Sequence, residues 1–393
     1  MLSFKGISRT VWVLSVVSLL TDAASEMLYP IMPIYLQSIG FSVVLMGVLE
    51  GVAEATAGLS KGYFGSLSDK FERRTPFVQI GYACSAFSKP LLAMMTYPVW
   101  IFFARTLDRF GKGIRTAARD ALLSDESTPQ TKGRVFGFHR SMDTLGAVIG
   151  PLLALLYLSF FPQHYKALFY YAAIPGLMAV IASFFLKEKK IQINQTTTST
   201  SFFSFLQYWK KSPIAYRKLV VGLVVFTLFN SSDVFLLLRA KDTGLNDTFV
   251  IGLYIFYNLV FALFAFPIGV LADKLGLKKI FVVGLVLFAF VYAGMSLHGG
   301  FYFYVFLFFL YGLYAAGTDG ISKAWITNIT EKEFKATAIG TFSAFQSIAA
   351  LIASSLTGLI WFIWGAETAF LTTVLATIIV IVYFIISIPN TRH

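Results

Sequence analysis

Twelve apolar stretches follow one another along the chain, and each is long enough to cross a membrane as a helix. About 20 helical residues span the hydrocarbon core of a bilayer. The stretches lie near residues 9–37, 42–66, 76–96, 98–122, 135–160, 166–186, 218–240, 249–271, 279–297, 301–328, 336–361 and 367–388. Apolar residues make up 57% of the 393 residues and the mean hydropathy is +0.72, outside the range of water-soluble domains. We therefore expect an all-α membrane protein with twelve transmembrane helices.

A polar segment divides the stretches into two sets of six. Residues 187–217 combine a Thr/Ser run with several Lys and Arg residues, and predict a linker between an N-terminal six-helix bundle (1–186) and a C-terminal one (218–393). The other cation-bearing turns fall on the same side as this linker. The positive-inside rule then places the linker and both termini in the cytoplasm, with the chain in the bacterial inner membrane. This topology accounts for the net charge of +12, so nucleic acid is not expected as a partner.

Residue types that metals and redox chemistry require are scarce. The chain has one Cys and four His, and it contains neither a CxxC nor an HExxH motif, so no metal site is expected. No Walker motif is present, so ATP is not expected to drive transport directly. If the chain carries a solute across the membrane, an ion gradient is the expected energy source. We expect neither a cofactor nor an enzymatic activity.

The two halves carry the same motif at the same place. The segment GSLSDKFERRTPF (65–77) follows the second stretch, and GVLADKLGLKKIF (269–281) follows the eighth. Each reads Gly-x-Leu-x-Asp-Lys and is followed by a basic pair. A weaker repeat relates the segments that start at Gly133 and Lys335. Duplication of a six-helix unit is typical of transporters, whose substrate site lies near the membrane midplane between the halves.

On these motifs, and over its whole length, the chain resembles the major facilitator superfamily. Three further stretches, DAASEMLYPIMP, FGKGIRTAARDAL and NSSDVFLLLRA, resemble a bacterial branch of it without an assigned substrate. The first motif is similar to that superfamily's signature between its second and third helices, and the second resembles the copy in the other half. The resemblance implies two pseudo-symmetric six-helix bundles, with helices one, four, seven and ten around a central cavity. It also implies that Asp69 and Asp273 latch the outward-facing state at helix ends. For Lys70 and Lys274, membrane orientation and lipid contact are the preferred explanation.

The fifth stretch holds four residues at a spacing that resembles a motif of proton-linked exporters in this superfamily. They are Gly137, Gly146, Gly150 and Pro151. Small residues four apart also allow close helix packing, which has no bearing on export. Both explanations stay open, with a slight preference for export.

Charged residues recur every three or four positions along the fourth stretch, and therefore share one helix face. They are Arg105, Asp108, Arg109, Lys112, Arg115 and Arg119. Because charges that face lipid are costly, this face should lie against protein or water, with Arg105 and Arg109 near mid-membrane. Their expected partners are Asp22 and Glu26 on the first stretch, where Pro30 and Pro33 predict a kink. An acid freed by a competing substrate can take up a proton; a permanent salt bridge is the alternative.

Other polar groups complete two sets of candidates. Arg115 and Arg119 are expected to form ion pairs with Asp120, Asp125 or neighbouring helices, and Asp319 and Lys323 are spaced to pair with each other. The expected substrate-binding or proton-coupling residues are Asp22, Glu26, Glu50, Glu54, Arg105, Arg109, Asn230, Asp233, Asp319 and Lys323. The expected gating residues are Asp69, Arg73, Arg74, Lys112, Arg115, Arg119, Arg140, Asp143, Asp273 and Lys278.

Buried cations with nearby acids favour a solute that carries negative charge or many hydroxyl groups. We expect a secondary active transporter that moves such a small polar solute with protons, by symport or antiport and by alternating access. A proton-coupled multidrug efflux antiporter is the alternative, and a membrane-embedded transferase is a distant one. The expected partners are the small-molecule substrate, protons and the lipid bilayer, and the chain is expected to act as a monomer.

Overall fold

The computed structural model describes residues 7–29, 31–188, 204–245 and 247–388. Within these ranges the chain forms fourteen α-helices and one short 3-10 helix, without a strand. The helices are α1 (Arg9–Glu26), α2 (Met32–Ser38), α3 (Val43–Lys70), α4 (Thr75–Met94), α5 (Pro98–Asp125), α6 (Lys132–Phe160), α7 (Tyr165–Ser183), α8 (Ser204–Lys211), α9 (Ile214–Thr227), α10 (Val234–Asp242), α11 (Asp247–Leu275), α12 (Leu277–Met295), α13 (Phe301–Asn328) and α14 (Lys335–Ser387). The all-α class is thereby confirmed. Most of the predicted linker, residues 189–203, lies outside the described residues.

Six helices of the described part are long and apolar enough to cross a membrane by length and composition alone. They are Lys132–Phe160, Tyr165–Ser183, Phe249–Leu275, Leu277–Met295, Phe301–Asn328 and Lys332–Ser387. The last contains two spans, because Gly365 has φ 86° and ψ 167° and interrupts the helical backbone between the predicted eleventh and twelfth stretches. The other predicted spans correspond to helices that are broken, shorter or more charged.

The first and seventh spans are each broken. α1 ends at Glu26 and α2 begins at Met32, whereas α9 ends at Thr227 and α10 begins at Val234. The sequence predicts a kink in the first, but its prediction of one continuous helix over 218–240 is wrong. The second break contains Asn-Ser-Ser-Asp (230–233), whose side chains compete with the helical backbone for hydrogen bonds. Interrupted helices at corresponding places in two halves mark the binding region of many transporters.

The chain divides into two compact units. Unit 1 comprises Met1–Glu126, Met142–Lys211 and Glu331–Ala344, and unit 2 comprises Ser127–Ser141, Ser212–Thr330 and Phe345–His393. The start of α14 therefore belongs to unit 1, and the start of α6 belongs to unit 2. The predicted bundles, 1–186 and 218–393, stay predictions.

Candidate functional site

Two arginines of α5 pair with two glutamates of α3 inside unit 1. Arg105 binds Glu50 through two parallel bonds, Nε to Oε1 at 2.8 Å and Nη2 to Oε2 at 2.9 Å. Arg109 Nε lies 3.3 Å from Glu54 Oε1. Because both pairs are four residues apart on their helices, they form two successive steps along the α3–α5 contact. We call these four residues the arginine–glutamate ladder.

The glutamates of the ladder are more exposed than its arginines. The side chains of Arg105 and Arg109 are 10% and 14% exposed, whereas those of Glu50 and Glu54 are 41% and 56% exposed. The guanidinium groups are therefore held within the protein while the carboxylates reach its surface. Lys112, one turn further along α5, is also exposed. A carboxylate or phosphate carries the same oxygen acceptors as a glutamate, so it can bind a guanidinium group in place of one.

The expected partners of Arg105 and Arg109 were the acids of α1, and that prediction is wrong. The structure pairs both arginines with α3 instead. The groups that act electrostatically on Asp22 include Asp143 of α6 and Lys112 of α5. The pattern that could have identified the true partners is the four-residue spacing of Glu50 and Glu54, but Asp22 and Glu26 have the same spacing.

A second ion pair lies on the interior side of the ladder, and the candidate sets include neither of its members. Lys89 of α4 lies 3.1 Å from Asp108 Oδ1 and also donates to the backbone oxygen of Ser85 at 2.9 Å. Asp108 Oδ2 lies 3.6 Å from Arg105 Nη1. Arg105 is thus held between an exposed acid and a buried one. The available signal was that Lys89 is a lone cation inside an apolar span.

The C-terminal half of α5 contacts both charged and neutral groups. Arg119 pairs with Asp120 at 2.9 Å, as expected, and lies 3.9 Å from Asp143. Arg115 contacts neutral groups instead: it donates to Ser85 Oγ at 2.6 Å and its guanidinium carbon lies 4.7 Å from the centre of the Tyr82 ring. Both arginines are buried. Their contacts fix α5 against α4 and α6.

Each signature aspartate caps the first turn of a helix that belongs to the other half of the chain. Asp69 accepts from the backbone nitrogens of Ala336 and Thr337 at 3.3 and 2.6 Å, all within unit 1. Asp273 accepts from those of Gly133 and Arg134 at 2.7 and 2.8 Å, all within unit 2. A carboxylate at this position satisfies free amide groups and the positive end of the helix dipole.

The cap at Asp69 is reinforced by charge. Asp69 lies beyond the predicted span 42–66, and burial raises the pKa of its carboxyl to about 6, so it is ionised at neutral pH. Arg74 Nη2 lies 3.2 Å from Asp69 and its Nε lies 3.2 Å from Asp125, which also pairs with Lys335 at 3.0 Å. Arg73 is exposed.

In unit 2, Lys278 donates to the backbone oxygens of Ile385 and Ile388 near the end of α14.

We expect Asp69→Ala to loosen the first turn of α14. An N-cap of this kind is worth about 0.5–2 kcal/mol, so the amides of Ala336 and Thr337 should exchange with deuterium roughly 2 to 30 times faster. Asp69→Asn retains an acceptor and should show a smaller change. Hydrogen–deuterium exchange with mass spectrometry measures this, and the first turn of α6, capped by Asp273, is the internal control. Unchanged exchange in the alanine variant would show that the cap does not hold the helix start.

The break in the seventh span places an acid among tyrosines in unit 2. The two carboxylate oxygens of Asp233 accept from Tyr257 and Tyr311 hydroxyls, each at 2.5 Å, and Asn230 donates to Tyr314 at 3.0 Å. Asp319 forms an ion pair with Arg140, at 3.0 Å, and its pairing with Lys323 stays a prediction. Lys323 is buried.

Among the described residues, no group of three or more His, Cys, Asp or Glu could hold a metal ion.

Comparison with known proteins relates the chain to transporters. The model of the Major Facilitator Superfamily matches residues 14–256 and 234–393. An uncharacterised MFS-type transporter of Methanocaldococcus jannaschii is 33% identical over 95% of this chain and 94% of its own length. A multi-drug resistance efflux pump of Streptococcus pneumoniae, PmrA, is 24% identical over 67% of each chain. The solved human organic anion transporter MFSD10 has the same fold, with a TM-score of 0.76 at 17% identity over 96% of this chain and 99% of its own.

Proposed function

The chain belongs to the major facilitator superfamily of transporters, and from that premise we propose that it moves a small anionic or hydroxyl-rich solute together with protons. The arginine–glutamate ladder is the observation that carries this proposal. It offers two guanidinium groups of fixed geometry, which suit the carboxylate or phosphate of a solute. We place the chain in the cytoplasmic membrane with both termini inside the cell, working by alternating access.

Exchange of partners at the ladder supplies a reason for proton coupling. A solute anion that binds Arg105 or Arg109 displaces Glu50 or Glu54. The displaced carboxylate has lost the cation that stabilised its ionised form, so it gains affinity for a proton. Solute and proton then bind together and move in the same direction, which favours symport. The export suggested by the glycine spacing of α6 stays a prediction.

The test is a substrate screen in two steps. Citrate, gluconate and glucose 6-phosphate represent carboxylate, hydroxyl-rich and phosphate solutes, and each is added to the purified full-length protein in a thermal-shift assay. Any solute that raises the melting temperature is then loaded into proteoliposomes with an imposed pH gradient of either sign. We expect accumulation on the alkaline side of the membrane. A solute that binds but does not respond to the pH gradient would remove the proton from the proposal.

Asp233, whose carboxylate oxygens accept hydrogen bonds from Tyr257 and Tyr311, favours a second candidate function, efflux of organic cations. A carboxylate surrounded by tyrosine rings suits a cationic, aromatic solute, because the rings and the acid both attract positive charge. Two relatives from other organisms carry multidrug names, among them the PmrA pump. In that case the ladder would be structural.

The two candidates differ in their response to one substitution. If the chain exports cations, Asp233→Asn should remove stabilisation by tetraphenylphosphonium in the same thermal-shift assay, and should leave the response to anions unchanged. Loss of the carboxylate removes the charge that holds the cation. Asp242→Asn, at an exposed position on α10, is the matched control. If tetraphenylphosphonium does not stabilise the wild type, the cation candidate is rejected.

A further inference from the structure

The ladder holds two carboxylates one helical turn apart, and each has an arginine of its own. Arg105 Nε lies 2.8 Å from Glu50 Oε1. Arg109 Nε lies 3.3 Å from Glu54 Oε1. We infer that the solute bound at the ladder is a dicarboxylate, and that its two carboxylates take the places of Glu50 and Glu54. This inference rests on the proposed function for the location of the solute, and it adds the chemical class.

One carboxylate does not bond to both arginines in the structure. Glu50 Oε2 lies 2.9 Å from Arg105 Nη2 but 4.0 Å from Arg109 Nη2, and the second distance is too long for a hydrogen bond. Arg109 is paired with Glu54 instead. A solute with a single acidic group would therefore replace one glutamate and leave the other in place. Two carboxylates are needed to occupy both guanidinium groups.

Helix geometry sets the distance between the two groups. Residues four apart on a helix are separated by about 6 Å along its axis, and their Cβ atoms by about 5–6 Å. The glutamates of α3 and the arginines of α5 share this four-residue spacing. An extended chain of three or four methylene groups, as in glutarate or adipate, separates two carboxyl carbons by a similar distance. The single methylene group of malonate is too short.

The charge around the ladder suits two negative groups. Lys61 of α3 and Lys112 of α5 act electrostatically on Glu54, in addition to both ladder arginines. The buried pair of Lys89 with Asp108, on the interior side, carries no net charge. A dicarboxylate replaces the charge of the two glutamates one for one. The guanidinium groups therefore keep their compensation while the solute is bound.

The surface of α3 beside the glutamates has room for the body of a solute. Gly47 and Gly51 stand three residues before Glu50 and Glu54, and therefore lie on the same side of the helix. Both glycines are exposed, and a Cβ atom at either would have no neighbouring atom within 4 Å. The hydrocarbon chain that joins two carboxylates can lie along this open backbone.

A series of dicarboxylates tests the inference by binding alone. Malonate, succinate, glutarate, adipate and pimelate are titrated onto the purified full-length protein in the thermal-shift assay. Each is compared with the straight-chain monocarboxylate of the same carbon number, and inorganic phosphate represents a single acidic group. We expect the tightest binding for glutarate or adipate, about 10- to 100-fold tighter than pentanoate or hexanoate, because a second charge-assisted contact forms. Malonate should bind about as weakly as propionate.

Two substitutions assign the effect to the ladder. Arg109→Gln removes the second guanidinium, so the best dicarboxylate should then bind about as weakly as its monocarboxylate. Glu54→Gln removes a competing carboxylate and should strengthen dicarboxylate binding by about 1.5- to 5-fold, the range of an exposed ion pair. A purely structural ladder would show no gain of affinity in Glu54→Gln. Arg9→Gln, at an exposed position on α1, is the matched control and should leave every affinity unchanged.

The outcomes separate this inference from the proposed function. Equal affinity for a dicarboxylate and its monocarboxylate, or tightest binding by malonate or phosphate, would overturn the inference and leave the proposed function standing. Failure of every dicarboxylate to stabilise the wild type would also overturn it. A length optimum without accumulation driven by a pH gradient would support the inference and remove the proton from the proposed function. The wild-type series decides the inference even if a variant fails to fold.

Discussion

Arg105→Ala is expected to abolish anion binding and to lower the free energy of unfolding by about 3 kcal/mol. Removal of one member of a buried ion pair leaves its partner uncompensated and costs about 3–5 kcal/mol, and the low end applies because Glu50 is partly open to solvent. Asp108 also loses a neighbouring charge, although it retains Lys89. The loss of affinity should reach about 2–5 kcal/mol, because the solute loses a two-bond contact. Thermal-shift titration with the anion found in the screen measures both effects.

Two further variants separate charge from geometry. Arg105→Lys retains the charge but cannot form two parallel bonds, so it should retain most of the stability and bind the anion more weakly. Arg9→Ala, at an exposed position on α1, should change neither quantity. Wild-type anion affinity in Arg105→Ala would remove the ladder from the substrate site.

Gly146→Ala should destabilise the protein although it adds only one methyl group. The new Cβ would overlap the Leu19 oxygen and would lie 2.9 Å from the Ala23 nitrogen, both backbone atoms that cannot rotate away. α1 and α6 would have to separate, and overpacking of this kind costs about 1–3 kcal/mol. The melting temperature in detergent should therefore fall.

The control for this change is the same substitution where space is open. A Cβ atom at Gly252 of α11 would have no neighbouring atom within 4 Å, and the φ of this residue is not positive. Gly252→Ala should therefore leave the melting temperature unchanged or raise it slightly, since Ala favours helix by about 1 kcal/mol. If the two variants behaved alike, contact at Gly146 would not limit the separation of α1 and α6.

The sequence predicts most helices well because the bilayer restricts what an apolar segment can form. Hydrogen bonds that water would otherwise supply must be made within the segment, so a stretch such as 301–328 becomes helical over its whole length, as α13 does. The seventh span departs from this rule. Its Asn-Ser-Ser-Asp sequence supplies hydrogen-bonding groups of its own, and the helix stops there.

The partners of Arg105 and Arg109 could not be predicted. The spacing of charged residues determines which face of a helix they share, but not which other helix packs against that face. Asp22 with Glu26, and Glu50 with Glu54, have the same four-residue spacing, and either pair fits two arginines four apart. The choice depends on which helices pack together. In the structure a Cβ at Gly113 would overlap the Cβ of Ser60, so α5 lies directly against α3. Such a contact joins residues distant in sequence, and a single sequence does not reveal it.

The assignment of residues 331–344 to unit 1 has a consequence for biosynthesis. These residues leave the ribosome long after α3 has been made, so the nascent chain carries Asp69 without the helix start that it binds. Unit 1 reaches its final packing only after residues 331–344 have been translated. A product truncated in the linker would lack residues 331–344, so Asp69 at the end of α3 would have no helix start to cap.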